Sequence, residues 1–111
     1  MNNFNSLILE GVVKGEPHYV ESVGVLKCTI AVEHSYKDRD GNEVTEVSQF
    51  KVVCSGRLAE FANSHIKDGV GVRVVGRLKE NKWSDGDGVK HSGVEIVAEH
   101  IEYRNLSKKG E

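Results

Sequence analysis

The 111-residue sequence contains little of what marks several protein classes. Its two cysteines, Cys28 and Cys54, stand apart without CxxC spacing or a nearby histidine. We therefore expect buried free thiols and predict neither a disulfide scaffold nor a zinc site. No apolar run is long enough to span a bilayer, and the first residues lack the basic and apolar regions of a signal peptide. These absences favour a cytoplasmic protein without membrane contacts.

The sequence also lacks the residue combinations of catalytic sites and metal centres. No HxH or HExxH pair occurs, and no Ser-His-Asp order stands out from chance. The run DGDG at residues 85–88 has no bidentate glutamate at the spacing of a calcium loop, so a hairpin turn is the better interpretation. We expect no enzymatic activity, no metal and no cofactor. The histidines are scattered at His18, His34, His65, His91 and His100.

A strong excess of one charge is absent as well. The 15 Lys and Arg against 17 Asp and Glu leave a formal net charge of -2, which does not by itself indicate a nucleic-acid partner. A basic face can still form if the charges are segregated in space. Hydrophobic residues make up 38% of the chain, enough for one modest core, and 111 residues are too few for a second.

Most of the chain shows the alternation of apolar and polar residues that is typical of strands. The GEP sequence at residues 15–17 is a turn signature, which predicts that the first strand ends there before a short piece at 18–20. A charged loop at residues 37–43, with Asp-Gly at its tip, predicts a hairpin. The predicted strands are residues 6–14, 25–36, 44–55, 70–79 with a continuation to Trp83, and 93–103.

The apolar period becomes helical between the third and fourth strands. Leu58, Ala62 and Ile66 recur at helical spacing within residues 56–66, together with Phe61, which we expect in the core. Three strands, one helix and two strands are the order of the OB-fold, an all-β Greek-key barrel of five strands. A small sandwich would not explain a lone helix at this place.

We assign residues 1–104 to this single domain and residues 105–111 to a short polar tail. The OB-fold commonly binds oligonucleotides or oligosaccharides, so the fold alone leaves the ligand open.

The only tryptophan, Trp83, lies on the first arm of the last hairpin. Arg77, Lys79 and Lys82 precede it on the same arm. A flat apolar ring beside positive charge suits an unpaired nucleic-acid strand, whose bases can stack while its phosphates are neutralised. The alternative is a ring packed against the barrel or against a neighbouring subunit.

Several separate motifs resemble the bacterial single-stranded DNA-binding protein family, over residues 5–104. The resemblance implies a homo-oligomer, tetramer or dimer, that coats single-stranded DNA in replication, recombination and repair. The motifs are, in order, SLILEG with GEP within residues 6–17, YKDRDG at 36–41, VVCSGRLAE at 52–60, VGRL at 75–78 and KWSD at 82–85.

The resemblance also implies which residues bind DNA. Trp83 and Tyr36 are expected to stack on bases, although Tyr36 could instead lay its ring on the core. Arg57, Lys79 and Lys82 match positions that are expected to follow the phosphate backbone. The further basic candidates are Arg77, Lys51 and Lys90.

The chain departs from the family pattern on the third strand. Gln49 stands where the family usually has a tryptophan, and Ser55 stands where an aromatic side chain often stacks on a base. Both are opposite in parity to Val52 and Cys54, so we expect them to face the DNA. Phe50 shares the parity of those apolar residues, which favours burial, with a contact to DNA or to another subunit as the alternative.

Other functions remain open at this point. Fewer stacking rings, and the lack of the family's acidic C-terminal tip in these 111 residues, favour either a piece of a longer chain or a divergent copy. Such a copy would be an accessory primosomal or plasmid or phage paralogue, with weaker DNA binding and mainly protein contacts. An oligosaccharide- or protein-binding module is a further alternative, which the basic hairpin around Trp83 disfavours.

Overall fold

The computed structural model describes residues 1–104, which form β1 Leu7–Val20, β2 Val25–Lys37, β3 Glu43–Ser55, α1 Gly56–His65, β4 Gly71–Ser84 and β5 Lys90–Arg104. The strands close into a barrel in the order β1-β2-β3-β5-β4. This confirms the OB-fold predicted from the element order. The tail expected at residues 105–111 lies outside the described part. Within the described part, no helix is long and apolar enough to cross a membrane.

The first strand continues through the sequence that was expected to end it. Its register with β2 shifts between Lys14 and His18, and Gly15 has a φ of 78°. Such a bulge bends a strand without ending it. The N–H of Gly15 donates a hydrogen bond to Asp68 Oδ1 at 2.7 Å, so the bulge does not leave this group without a partner. One bent strand therefore pairs first with β4 and then with β2.

Aliphatic side chains fill the barrel, and α1 packs on it through the buried Ala59 and Ala62. Phe61, which was expected in the core, is only half-buried. It lies on the side of the helix where its ring stacks on that of His65, with centroids 4.5 Å apart. The helix thus covers the core with small side chains and keeps its aromatic ring at the surface. The largest fully buried side chains are Leu26, Ile30, Val13, Val52 and Val74.

Both cysteines are free thiols on the wall of the barrel. Cys54 is buried, as expected, whereas Cys28 is only half-buried. Burial raises the pKa of each thiol to about 11. Both are therefore protonated at neutral pH and act as small apolar side chains.

The barrel closes through a short parallel contact between β3 and β5. Only two residue pairs join these strands, Val52 with Ile96 and Val53 with Val97. The antiparallel hairpins on either side are paired along their whole length. We call the hairpin of β2 and β3 the β2–β3 arm, and that of β4 and β5 the β4–β5 arm.

The two arms end in turns of the same construction, Asp-x-Asp-Gly. In each turn, Oδ1 of the first aspartate, Asp38 or Asp85, accepts hydrogen bonds from the backbone N–H groups two and four residues later, at 2.9 to 3.0 Å. The glycines, Gly41 and Gly88, have φ values of 83° and 80°, a left-handed conformation that glycine adopts without steric cost. The turn predicted at residues 85–88 is confirmed.

Candidate nucleic-acid interface

A groove of about 540 Å³ lies between the two arms. It forms because β3 and β5 part beyond their two-pair contact, which leaves the edge of β3 opposite β2 unpaired ahead of Val52. The bulge of β1 contributes to its lining. We call it the inter-arm groove. The side chains of interest in its lining are Lys14, Lys27, Gln49, Phe50, Lys51 and Trp83.

Two aromatic side chains line the groove from different strands. Trp83 on β4 is 50% exposed, and Phe50 on β3 is 40% exposed. The parity of Phe50 with Val52 and Cys54 favoured burial, and that expectation is wrong. The reason is that β5 pairs with β3 only at Val52 and Val53, so the barrel is not closed at Phe50 and the same face of β3 is open to solvent there. The groove therefore offers two flat apolar surfaces.

The groove is locally more positive than the chain as a whole. Lys14, Lys27 and Lys51 line it together with Glu16 and Glu95. Within residues 1–104, none of these three lysines forms a salt bridge. Their ammonium groups can therefore bind an anion without first breaking an ion pair.

Trp83 is held by residues of the neighbouring strand. It stands opposite His91, and the two rings stack with centroids 5.5 Å apart and planes 19° from parallel. A Cβ added at Gly93 would lie 3.7 Å from the indole, so the indole lies close to the backbone of that residue. The ring is thus supported by β5 and remains half exposed.

Asp85 links this ring pair to the turn. His91 Nε2–H donates to Asp85 Oδ2 at 2.9 Å, while Oδ1 holds the turn. The bond from His91, followed by backbone bonds from Val89 and Asp87, lowers the pKa of the Asp85 carboxyl. The carboxylate therefore stays charged at neutral pH.

Several of the predicted DNA-binding residues come together here. Trp83, Lys51 and Gln49 share the inter-arm groove. Lys82 and Lys90 lie beside it, in a shallower cleft of about 400 Å³ that also borders Trp83. Trp83 thus stands between two concave surfaces, each with at least one lysine.

Tyr36 lies elsewhere, near the end of the β2–β3 arm. Its hydroxyl donates to Glu46 Oε2 at 3.3 Å, and its ring stacks on His34 with centroids 6.0 Å apart. The ring is 41% exposed. The alternative in which it rests on the core is therefore wrong, although the ring does not line the groove.

The remaining candidates lie outside both concave surfaces. Arg77 forms a salt bridge with Glu99 at 3.5 Å, so this guanidinium already has a partner. Arg57 is exposed on the first turn of α1, two residues after the exposed Ser55. Lys79 is exposed on β4. Their roles in DNA binding stay predictions.

The lining residues that were not among the predicted site residues include Lys14, Lys27 and His91, and also Phe50, for which a DNA contact was only the alternative. One of them left a signal in the sequence, because Phe50 belongs to the same segment as Gln49. Counting outward from the DGDG turn places Lys90 opposite Trp83, one residue short of His91, because Val89 also belongs to the loop. Lys14 and Lys27 are brought to the groove by the bulge of β1 and the pairing of β2, which the apolar pattern does not reveal.

Solved structures with this architecture include single-stranded DNA-binding proteins. The chain superposes on the Plasmodium falciparum SSB complex with ssDNA with a TM-score of 0.81 and 18% identity, covering 95% of this chain and 98% of that one. For the small single-stranded DNA-binding protein of Streptomyces coelicolor the values are 0.72 and 24%, with 94% and 96% covered. At these identities the likeness shows the fold. A deletion mutant of the Thermus aquaticus single-stranded DNA binding protein gives 0.79 and 27%, with 96% and 52% covered.

Curated relatives carry the same description. The chain is 32% identical to the single-stranded DNA-binding protein of Xanthomonas axonopodis pv. citri and 34% identical to that of Wolinella succinogenes, each over 110 residues. These alignments cover 96% of this chain but only 60% and 67% of the relatives. The model of the single-strand binding protein family matches residues 4–104, which is nearly all of the described barrel. The chain therefore belongs to the single-strand binding protein family.

Proposed function

We propose that the protein binds single-stranded DNA with little sequence preference and protects exposed strands during replication, recombination and repair. The observation that carries the proposal is the inter-arm groove, where Trp83 and Phe50 present ring surfaces beside Lys51, Lys27 and Lys14. Stacking on each such ring contributes about 1 to 3 kcal/mol per base and tolerates every base. The protein would act by binding alone, as a cytoplasmic, non-enzymatic component.

The remaining candidate residues would extend the path of the strand beyond the groove. Lys82 and Lys90 lie next to Trp83, so they suit phosphates on one side of the stacked base. Tyr36 presents a half-exposed ring further along the β2–β3 arm. Gln49 and Ser55 are exposed on β3, where they would contact the strand without stacking. The remaining proposed phosphate contacts are Arg57, Lys79 and Arg77.

We also propose that the protein acts as a homo-oligomer, tetramer or dimer. The first part of β1 pairs with β4 on one side, while its pairing with β2 begins only at Val12. The other edge of residues 7–11 is therefore free within the described chain, and Ile8 there is 69% exposed. A free edge with an exposed aliphatic side chain suits pairing with a second copy of this strand.

The test is fluorescence anisotropy with labelled dT oligomers and a duplex of the same length, at two salt concentrations. Binding to single strands should be stronger than to duplex and should weaken as salt rises, because cations are released from the phosphates. Equal affinity for both forms, or no dependence on salt, would contradict the proposal.

A matched pair of lysine variants locates the site in the same assay. Lys51→Gln should weaken binding and reduce the dependence on salt, since it removes one charge from the groove. Lys67→Gln removes the same charge from an exposed position outside the groove and should leave both unchanged. If the two variants behave alike, the DNA takes another route over the barrel.

A further inference from the structure

Trp83 is supported by the neighbouring strand and, through His91, by the turn between the two strands. His91 stacks on it from the neighbouring strand, and the backbone at Gly93 lies under part of the indole. The imidazole is itself fixed, because Asp85 Oδ2 accepts its Nε2–H at 2.9 Å. Asp85 is fixed in turn by two backbone hydrogen bonds to its Oδ1. The support is therefore a chain of contacts that runs from the turn to the indole.

We infer that His91, held by Asp85, is a positioning residue that fixes Trp83 for base stacking and couples the charge of the imidazole to the indole. This inference rests on the proposed binding of single-stranded DNA. The physical reason is that a ring already held in one orientation loses less conformational freedom when a base stacks on it. The stacked imidazole limits the orientations of the indole, while half of the indole surface stays open.

The imidazole is also placed where its charge matters. Histidine is the side chain whose charge changes between about pH 5 and 8. The charged groups around His91 are Asp85, which bonds it, Asp87 in the same turn, and Lys82 and Lys90, which border the same cleft. A change in the charge of the imidazole changes the electrostatic environment of the stacked indole.

The stack between Tyr36 and His34 serves as an internal comparison. Those rings are further apart, 6.0 Å, and their planes differ by 29°. Within residues 1–104, His34 has no hydrogen bond from its ring to a carboxylate, and it lies on the same strand as its partner. The contact to His34 lacks the link to a turn that the Trp83 pair possesses.

The test uses two variants of His91 and one control. His91→Gln removes the stacked ring but can still donate a hydrogen bond to Asp85. His91→Phe keeps a stacked ring but cannot make that bond or take up a proton. His100→Gln is the control, because His100 forms the same kind of bond, to Glu102 at 3.1 Å on the same strand, without contacting Trp83.

The first measurement needs no DNA. Trp83 is the only tryptophan, so its fluorescence reports on this site alone. Between pH 5 and 8 the emission of the unmodified protein and of His100→Gln should show one inflection, which is lost in both His91 variants. An inflection that persists in His91→Gln would overturn the inference whether or not the protein binds DNA.

The second measurement is the affinity for a dT oligomer at pH 7. His91→Gln should bind roughly 3- to 10-fold more weakly, the range expected when one side chain must be ordered on binding. His91→Phe should stay within about twofold of the unmodified protein because it still supports the ring. The dependence on salt should be the same in both, since no phosphate contact is removed. If His91→Gln binds as tightly as the unmodified protein, the inference is wrong; if the unmodified protein itself fails to bind, the proposed function is wrong instead.

Discussion

The two arms of the barrel have the same turn but hold their exposed aromatic rings in different ways. Both turns are Asp-x-Asp-Gly, with the first aspartate holding two backbone N–H groups. On the β2–β3 arm, Tyr36 is tied by its hydroxyl to Glu46 and stacks on His34 of its own strand. On the β4–β5 arm, Trp83 stacks across strands on His91.

The difference lies in the second carboxylate oxygen of the turn aspartate. Asp85 Oδ2 accepts the hydrogen bond of His91, whereas the hydroxyl of Tyr36 on the β2–β3 arm donates to Glu46 of β3 and not to Asp38. The same turn can therefore serve two purposes. It only reverses the chain on the β2–β3 arm, and on the β4–β5 arm it also holds His91 of the opposite strand, which stacks on Trp83 of the inter-arm groove.

The largest difference between the arms should appear when each ring is removed. Trp83→Ala should weaken binding to a dT oligomer by about 1 to 3 kcal/mol, roughly 5- to 150-fold, because one stacked base is lost. Tyr36→Ala should cost less, because this ring lies outside the groove. Anisotropy titrations of both variants measure the effect, and circular dichroism checks that both remain folded. A larger loss for Tyr36→Ala would reverse the ranking of the arms.

An aromatic ring added to the β2–β3 side of the groove should reduce the difference between the contributions of the two arms to DNA affinity. Gln49→Trp places an indole in the groove lining, at an exposed position that does not belong to the core. Binding should tighten by about 1 kcal/mol, the low end of the stacking range, because the new ring has no support of its own. Urea unfolding should show an unchanged midpoint. A loss of stability, or an unchanged affinity, would mean that Gln49 does not face the DNA.

Removal of each turn aspartate should separate two roles: holding the turn, which both aspartates share, and holding His91, which only Asp85 does. Asp38→Ala and Asp85→Ala each remove the acceptor of two backbone hydrogen bonds, so each should lower the free energy of unfolding by about 1 kcal/mol. Only Asp85→Ala should also weaken DNA binding and change the emission of Trp83. Equal effects on DNA binding would show that the turn alone, and not His91, supports the indole.

The smallest expected effect is a loss of stability of the β4–β5 turn at low pH, when the Asp85 carboxylate becomes protonated. The bonds from His91 and the backbone lower the pKa of this carboxyl below its ordinary value of 3.8. The contribution of the carboxylate to stability is therefore present above that value and is lost as the pH falls through the lowered pKa. The amide resonances of Asp87 and Val89, followed by NMR from pH 5 to 2, should shift with a midpoint below pH 3.8. Shifts centred above that value would contradict the prediction.

Much of the fold could be predicted because its signals are local. Alternation in β2, the helical spacing of Ala62 and Ile66, and the DGDG turn each depend on neighbouring residues, and the structure confirms all of them. The continuation of β1 could not be foreseen in this way. Its GEP sequence is equally compatible with a turn or a bulge, and the partner strands that choose between them lie far away in the chain.

The same distinction between local signals and distant strand pairing applies to the residues of the site. Trp83 and Lys51 could be named from a motif or from their charge, and both line the groove. Burial was favoured for Phe50 because its parity was extended from Val52, and a contact to DNA or to another subunit was the alternative; the face was right, but it is exposed at Phe50. Parity fixes the face of a strand, but the neighbouring strand decides whether that face is covered, and β5 reaches only as far as Val52. Exposure at the edge of a barrel depends on where pairing stops.

The short contact between β3 and β5 determines how a polymer can reach the groove. Two residue pairs join the arms at their base, and within residues 1–104 no strand pairing bridges them nearer the tips. The groove is therefore open along one side and does not form a closed ring. For the proposed function, a strand would enter sideways at any internal position, so we expect a closed circle of single-stranded DNA to bind as readily as a linear one. Release would equally occur in mid-strand, without sliding to an end.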